Sequence, residues 1–261
     1  MAAALRHAER ELARAGVDTP RVDAELLLAH VLGVSRSAVY SDADGEVPGT
    51  FQVLLGRRCM REPLAYVLGE WGFRRLTLKT DARALVPRPE TEIVVERCLA
   101  LLRDEPEPRV LDVGTGTGAI ALAIKDEHPS AHVTAVDMSP AAVELARENA
   151  ERLGLEVEIG HGGFEVAADG WDLVVSNLPY VLPHEWDELQ PEIREWEPRE
   201  ALVGVGLHEQ LARIAKTRLL VLETHECQAE NVAATLTALG YMDVTVTPDL
   251  TGKPRVVEAR R

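Results

Sequence analysis

The chain has 261 residues, 46% of them hydrophobic, enough to bury a sizeable core in one large domain or in a large and a small one. Its formal net charge of −15, with no run of Lys or Arg to override it locally, disfavours direct binding to a nucleic-acid backbone and favours a protein partner. The start of the chain is charged every few residues and no apolar run approaches membrane-spanning length, so a cytoplasmic protein with no membrane partner is expected; a monomer is expected as well.

In chain order, Leu5, Ala8, Leu12 and Ala15 recur at helical spacing up to Gly16. Thr19-Pro20 opens a second amphipathic stretch that carries Ala24, Leu27, Leu28 and Val31 to Gly33. Ser35 to Tyr40 and Val47 to Cys59 read as two more helices. Residues 1–65 are therefore expected to form a small helical bundle without chemistry of its own, an N-terminal substrate-recognition domain. Arg57, Arg58 and Arg61 read as a solvated helix end that favours cations. Residues 66–90 form a β-hairpin and linker: Trp71 to Thr80 alternates, and Leu85 to Glu92 is a proline-punctuated connector before a helix at Ile93 to Leu102.

From residue 91 to 261 strands and helices alternate. Strands are expected at Arg109 to Val113, His132 to Asp137, Leu155 to Ile159, Trp171 to Ser176 and Leu219 to Glu223. Helices are expected at Ala119 to Glu127, Pro140 to Leu153 and near Gln228 to Leu239, with closing strands near Asp243 to Thr247 and Arg255 to Ala259. This is the pattern of an α/β, doubly wound, Rossmann-like seven-stranded sheet, which binds ligands at the carboxyl ends of its strands. Cys59, Cys98 and Cys227 are widely spaced and read as small apolar residues, not as a disulfide framework or zinc site.

The first of those strands runs into Gly114-Thr115-Gly116-Thr117-Gly118, where absent side chains let a ligand lie against bare backbone. Asp137 ends the next strand, where an acid in such folds grips two ribose hydroxyls; its plainer role would be capping the following helix. The loop alone is equally compatible with NAD. The fourth strand breaks the tie, because Val174-Val175-Ser176 leads into Asn177-Leu178-Pro179-Tyr180 about sixty residues after the loop. An amide or exocyclic amino nitrogen is a poor nucleophile because its lone pair is delocalised. A catalyst must hold the NH2 by both hydrogens and aim the lone pair at a methyl donor. The Asn177 side-chain carbonyl and a backbone carbonyl beside Pro179 are suitable acceptors, and Tyr180 offers a flat face. S-adenosyl-L-methionine is the cofactor that fits such a site.

These segments, together with Pro63-Leu64-Ala65-Tyr66, Pro87-Arg88-Pro89-Glu90-Thr91-Glu92 and Glu197-Pro198-Arg199-Glu200-Ala201-Leu202, resemble the release-factor glutamine methyltransferases, the HemK or PrmC family. The resemblance implies a class I methyltransferase domain. It also implies methyl transfer from S-adenosyl-L-methionine to the glutamine amide of the Gly-Gly-Gln motif in peptide-chain release factors. It assigns Asn177, Pro179 and Tyr180 to the amide, and Asp112, Gly114, Thr115, Gly116, Gly118, Asp137, Met138 and Asn177 to the cofactor, with no metal.

Three departures from the family pattern carry expectations. Leu178 replaces a proline, loosening the turn and matching ribosomal-RNA adenine dimethylases, so an RNA adenine methyltransferase is an alternative. Gly160-His161-Gly162-Gly163-Phe164 lacks the adenine-facing acid, Glu165 being the nearest, which leaves open a degenerate homologue that binds a release factor without methylating it. The turn before Leu219 is shortened, which could strain the sheet. His184, His208 and His225 lack metal-ligand spacing and read as surface or loop residues. Glu185, Asp187, Glu188, Glu192 and Glu195 read as a solvated acidic face flanked by Trp186 and Trp196.

Overall fold

The computed structural model describes residues 1–40 and 46–261, so residues 41–45 of the expected bundle lie outside the described residues. The chain forms two compact units, residues 1–70 with 189–196, and residues 71–188 with 197–261.

In the first unit α1 (Ala2–Arg14) follows the expected periodicity, whereas α2 (Pro20–Leu32) buries Asp23 and Glu25 along with Ala24, Leu27 and Leu28 and is not the simple amphipathic helix expected. Gly33 ends α2 in the left-handed region at φ 66°. The stretch expected as a third helix is a short 3₁₀ turn, Arg36–Tyr40. α3 (Thr50–Cys59) starts later than Val47, because the residue before Pro48 is pushed out of helical space. With α4 (Leu64–Leu68) these helices enclose Ala8, Leu12, Leu27, Leu28, Phe51 and Leu55. The Arg57–Arg61 segment is not the solvated helix end expected of it. Arg58 is buried, its guanidinium bonded to Asp23 at 2.7 Å and to Glu192 at 2.8 Å. Arg61 grips the same Glu192 at 2.6 and 2.5 Å. Glu192 therefore does not belong to a solvated acidic face. Burial works against its charge, yet the Arg61 and Arg58 hydrogen bonds hold its carboxyl below the ordinary glutamate range.

A hairpin, β1 (Glu70–Phe73) and β2 (Leu76–Lys79), leads into the second unit at Trp71, which continues into α5 (Thr91–Leu101). Its main sheet comprises β3 (Arg109–Val113), β4 (His132–Asp137), β5 (Glu158–His161), β6 (Trp171–Asn177), β7 (Thr217–Glu223), β8 (Met242–Pro248) and β9 (Pro254–Arg260). The order is β5-β4-β3-β6-β7-β9-β8, with β9 antiparallel to both neighbours and the other pairings parallel. Helices α6 (Ala119–Glu127), α7 (Pro140–Leu153), α9 (Leu207–Ile214) and α10 (Ala229–Ala238) join α5 in covering it; the short α8 (Pro191–Trp196) belongs to the first unit. Two apolar layers result, one built on Val110, Leu122, Ile124 and Leu173, the other on Leu111, Val174, Leu220 and Leu222.

β5 begins later than expected because Leu155 donates its N–H to Ala150 O, closing α7 behind the left-handed Gly154. The short connection into β7 brings no backbone strain: Ala215 is extended and Lys216 N–H bonds Ala167 O at 2.8 Å. No helix among the described residues is long and apolar enough to cross a membrane. Cys98 packs in the core, whereas Cys227 is exposed and does not serve as the apolar filler expected of it.

Candidate active site

Strand order reverses between β3 and β6, and the carboxyl ends of these neighbours carry the glycine loop and Asn177. Such a switch point opens a crevice above the sheet. Gly114, Gly116 and Gly118 all have positive φ, at 77°, 57° and 86°, so the loop needs residues without Cβ. Asp137 organises it. One carboxylate oxygen accepts the Gly116 N–H and the other the Ser139 N–H, each at 2.9 Å. The cap of α7 is Ser139, whose hydroxyl accepts the Ala142 N–H. Each Asp137 oxygen keeps lone-pair capacity for a ribose hydroxyl.

Thr115 and Asp112 do not face outward. Thr115 donates its hydroxyl to Asp112 at 2.6 Å, both are buried, and burial pushes the Asp112 carboxyl up to about 7. They brace the loop from below. Met138 is 76% exposed at the end of β4, a large thioether side chain with no core role and suited to a flat apolar ligand. Beside it Glu165 folds back so that its carboxylate accepts the Gly163 N–H at 2.7 Å, which holds its carboxyl below the ordinary range. The turn that lacks an acid in sequence order thus carries one in space.

Leu178 is buried, and its Cδ2 lies 4.0 Å from where a Gly114 Cβ would stand. It packs the Asn177–Tyr180 turn against the glycine loop, which accounts for an apolar residue here without invoking an adenine substrate. The Pro179 carbonyl lies against Gly204, where a Cβ would approach it to 2.5 Å, so only glycine fits. The Tyr180 carbonyl accepts from Gln228 at 2.9 Å, and the Tyr180 ring lies 6.1 Å from that of His225.

The partnerships that support these residues escape a motif reading. Asn177 Nδ2 donates to Thr91 Oγ1 at 3.2 Å, and the Thr91 hydroxyl donates to Glu223 at 2.7 Å. Tyr180 OH makes a longer 3.4 Å contact with the other Glu223 oxygen. Glu223 is 1% exposed; burial pushes its carboxyl up to about 7 and, with the Glu223 charge beside it, pushes the Tyr180 phenol well above its ordinary value. Arg88 reaches the buried Glu197 at 2.7 and 2.8 Å, joining the Pro-Arg-Pro-Glu-Thr-Glu and Glu-Pro-Arg-Glu-Ala-Leu segments. His208 is not a surface residue. It packs under β7 with Nε2 2.8 Å from Glu223 O, and burial lowers its pKa, so the neutral ring donates to that carbonyl. An acid closing an apolar strand, as Glu223 does, was the available sequence signal.

A reversing parallel sheet, a left-handed glycine loop gripped by the acid of the next strand, and a polar turn at the end of the fourth strand define an S-adenosylmethionine-dependent methyltransferase of the class I kind. The fold is shared with the hMettl16 catalytic domain solved in complex with a MAT2A 3'UTR hairpin, at a TM-score of 0.60 and 15% identity over 85% of this chain and 89% of that one. Family models for the PrmC N-terminal domain and the methyltransferase small domain match residues 3–69 and 92–191. The release factor glutamine methyltransferase of Deinococcus radiodurans is 43% identical over 98% of this chain and 97% of its own length. That of Cereibacter sphaeroides is 39% identical over the same shares. The chain belongs to the release factor glutamine methyltransferase family.

Proposed function

We propose that this protein methylates the side-chain amide nitrogen of the glutamine in the Gly-Gly-Gln motif of a peptide-chain release factor, with Asn177 holding the amide. The observation that carries the assignment to Asn177 is its hydrogen bonding: Nδ2 is spent on Thr91, which leaves Oδ1 as an acceptor at the carboxyl end of β6. A backbone carbonyl of the Asn177–Tyr180 turn takes the second amide hydrogen, and the Tyr180 ring lies along the planar group. Two acceptors in fixed positions orient the nitrogen lone pair, which converts an unreactive amide into a positioned nucleophile.

Bound S-adenosylmethionine supplies a methyl group already activated by its cationic sulfur. Bare backbone at Gly114 and Gly116, the Asp137 carboxylate and the exposed Met138 suit its ribose and adenine, and Glu165 takes the adenine amino group. The buried Leu178 and the half-buried Tyr180 keep water from the transfer path, and the proton lost from the amide nitrogen passes to water. The first unit serves as the docking module for the release factor. A release-factor substrate places the enzyme in the cytoplasm.

The test is mass spectrometry of release factor incubated with the enzyme and S-adenosylmethionine, alongside ribosomal RNA as a competing acceptor. Wild type adds one methyl to the motif glutamine. Asn177→Ala abolishes transfer while its affinity for S-adenosylhomocysteine stays within a few-fold. Methyl transfer to RNA and none to release factor would establish the adenine enzyme instead.

A further inference from the structure

Asn177 and Glu223 stand level on the neighbouring parallel strands β6 and β7, so their side chains leave the same face of the sheet. Thr91, buried at the first residue of α5, lies between them. Its single hydroxyl hydrogen is the key to the cluster. An ionised Glu223 has no hydrogen to give, so across the 2.7 Å contact Thr91 must be the donor. Thr91 Oγ1 then has only lone pairs left, and the 3.2 Å contact to Asn177 must be filled by the Asn177 NH2. The amide cannot flip without losing that bond, so Oδ1 is held on the far side.

We propose that Thr91 and Glu223 are positioning residues forming a hydrogen-bond polarity relay: the Glu223 carboxylate dictates, through the Thr91 hydroxyl, that Asn177 presents its oxygen to the substrate. This rests on the assignment of Asn177 to the substrate amide. A protonated Glu223 permits the opposite chain, in which Glu223 donates to Thr91, Thr91 donates to Asn177 Oδ1, and the Asn177 NH2 faces outward. Donor then meets donor, and the substrate NH2 loses one of its two acceptors. The groups facing Glu223 from the surrounding elements are the Tyr180 phenol after β6, Arg255 on β9, Glu90 before α5 and Thr91 itself. Arg255 favours the charged form and Glu90 opposes it, while His208 contacts only the Glu223 backbone. Burial brings the carboxyl up to about 7, so both forms of the relay occur near neutral pH.

The experiment measures kcat on full-length release factor with both substrates saturating, from pH 5.5 to 9, and the dissociation constant of S-adenosylhomocysteine, with circular dichroism to verify folding. Thr91→Val keeps the shape of the side chain and removes the relay. It is expected to lower kcat about 10- to 100-fold, the cost of one misdirected hydrogen bond to the reacting group, with cofactor affinity within about threefold. Thr91→Ser restores the hydroxyl and is expected to return kcat to within about threefold of wild type. Wild type loses kcat as pH falls through about 7. Glu223→Gln has no carboxyl to titrate and is expected to lack this limb. A Thr91→Val enzyme at the wild-type kcat, a Thr91→Ser enzyme as slow as Thr91→Val, or a Glu223→Gln enzyme with the acid limb intact would each overturn the relay. If Glu223→Gln does not fold, the Thr91 pair decides alone. A wild-type enzyme that leaves release factor unmethylated overturns the assignment of Asn177 and the relay with it, whereas an active wild type with an indifferent Thr91→Val overturns only the relay.

Discussion

Replacing Leu178 by proline sets two effects of similar size against each other. Proline holds φ near −65° and, where the native backbone already fits, stabilises by about 0.4–1 kcal/mol through the unfolded chain. On sequence grounds that gain, acting on a loosened turn, predicts turnover maintained or raised. Leu178 is, however, 4% exposed and packed in the layer of Leu111, Val113 and Val174, with its Cδ2 against the Gly114 position. Proline withdraws two terminal methyl groups from that layer at about 0.8 kcal/mol each, before the cavity they leave is counted. Packing therefore wins, by about 1–2 kcal/mol. For a protein of this size that lowers the unfolding midpoint by roughly 3–6 °C. Because the lost contacts face the cofactor loop, affinity for S-adenosylhomocysteine and turnover on release factor fall with it. Thermal unfolding without ligand, calorimetry and a methylation assay check the three effects. Leu178→Met, which conserves volume, stays within about 1.5 kcal/mol of wild type. A Leu178→Pro protein with a raised midpoint and undiminished turnover would refute the reasoning, since turn geometry would then outweigh core packing.

Asp137→Ala, which removes a carboxylate bonded to two backbone N–H groups of the loop region, is expected to weaken cofactor binding by about 1–3 kcal/mol, measured by calorimetry. An unchanged dissociation constant would leave Asp137 a purely local brace. Glu165→Ala is expected to weaken S-adenosylhomocysteine binding while leaving the unfolding midpoint nearly unchanged; equal affinities would remove Glu165 from the adenine site. The Asp112 carboxyl is raised in the folded protein to about 7 against an unfolded value of about 3.9, so its contribution to stability is present below about pH 4 and is lost as pH rises to 7. The loss is at most about 4 kcal/mol, from three units at about 1.4 each. Asp112→Asn should flatten that part of the stability–pH curve in unfolding scans, and a variant curve parallel to wild type would show that Asp112 does not titrate with folding.

The elements and the glycine loop were legible in the sequence because their signals are local. Periodicity marks α1, α6 and α7. Glycines at Gly114, Gly116 and Gly118 mark a loop that requires positive φ. The Asn177–Tyr180 turn stood out for the same reason: four adjacent residues offer the acceptors and the flat face that the proposed amide holder requires.

Partnerships between distant residues were not legible. Nothing local connects Thr91 with Glu223, 132 positions apart, or Arg88 with Glu197, 109 apart, because those contacts exist only once α5 is laid across the ends of β6 and β7. Burial was hidden for a related reason. A lone His208, an Arg58 beside Arg57 and Arg61 and a Leu178 in a polar turn each look like surface residues until neighbouring elements exclude water from them, and their roles as donor, counter-ion and packing group follow from that exclusion. Sequence alone determined which backbone segments could form and which side chains could do chemistry. Tertiary structure decided which of those side chains lose water, which partner then satisfies each buried polar group, and so which end of Asn177 is spent on Thr91.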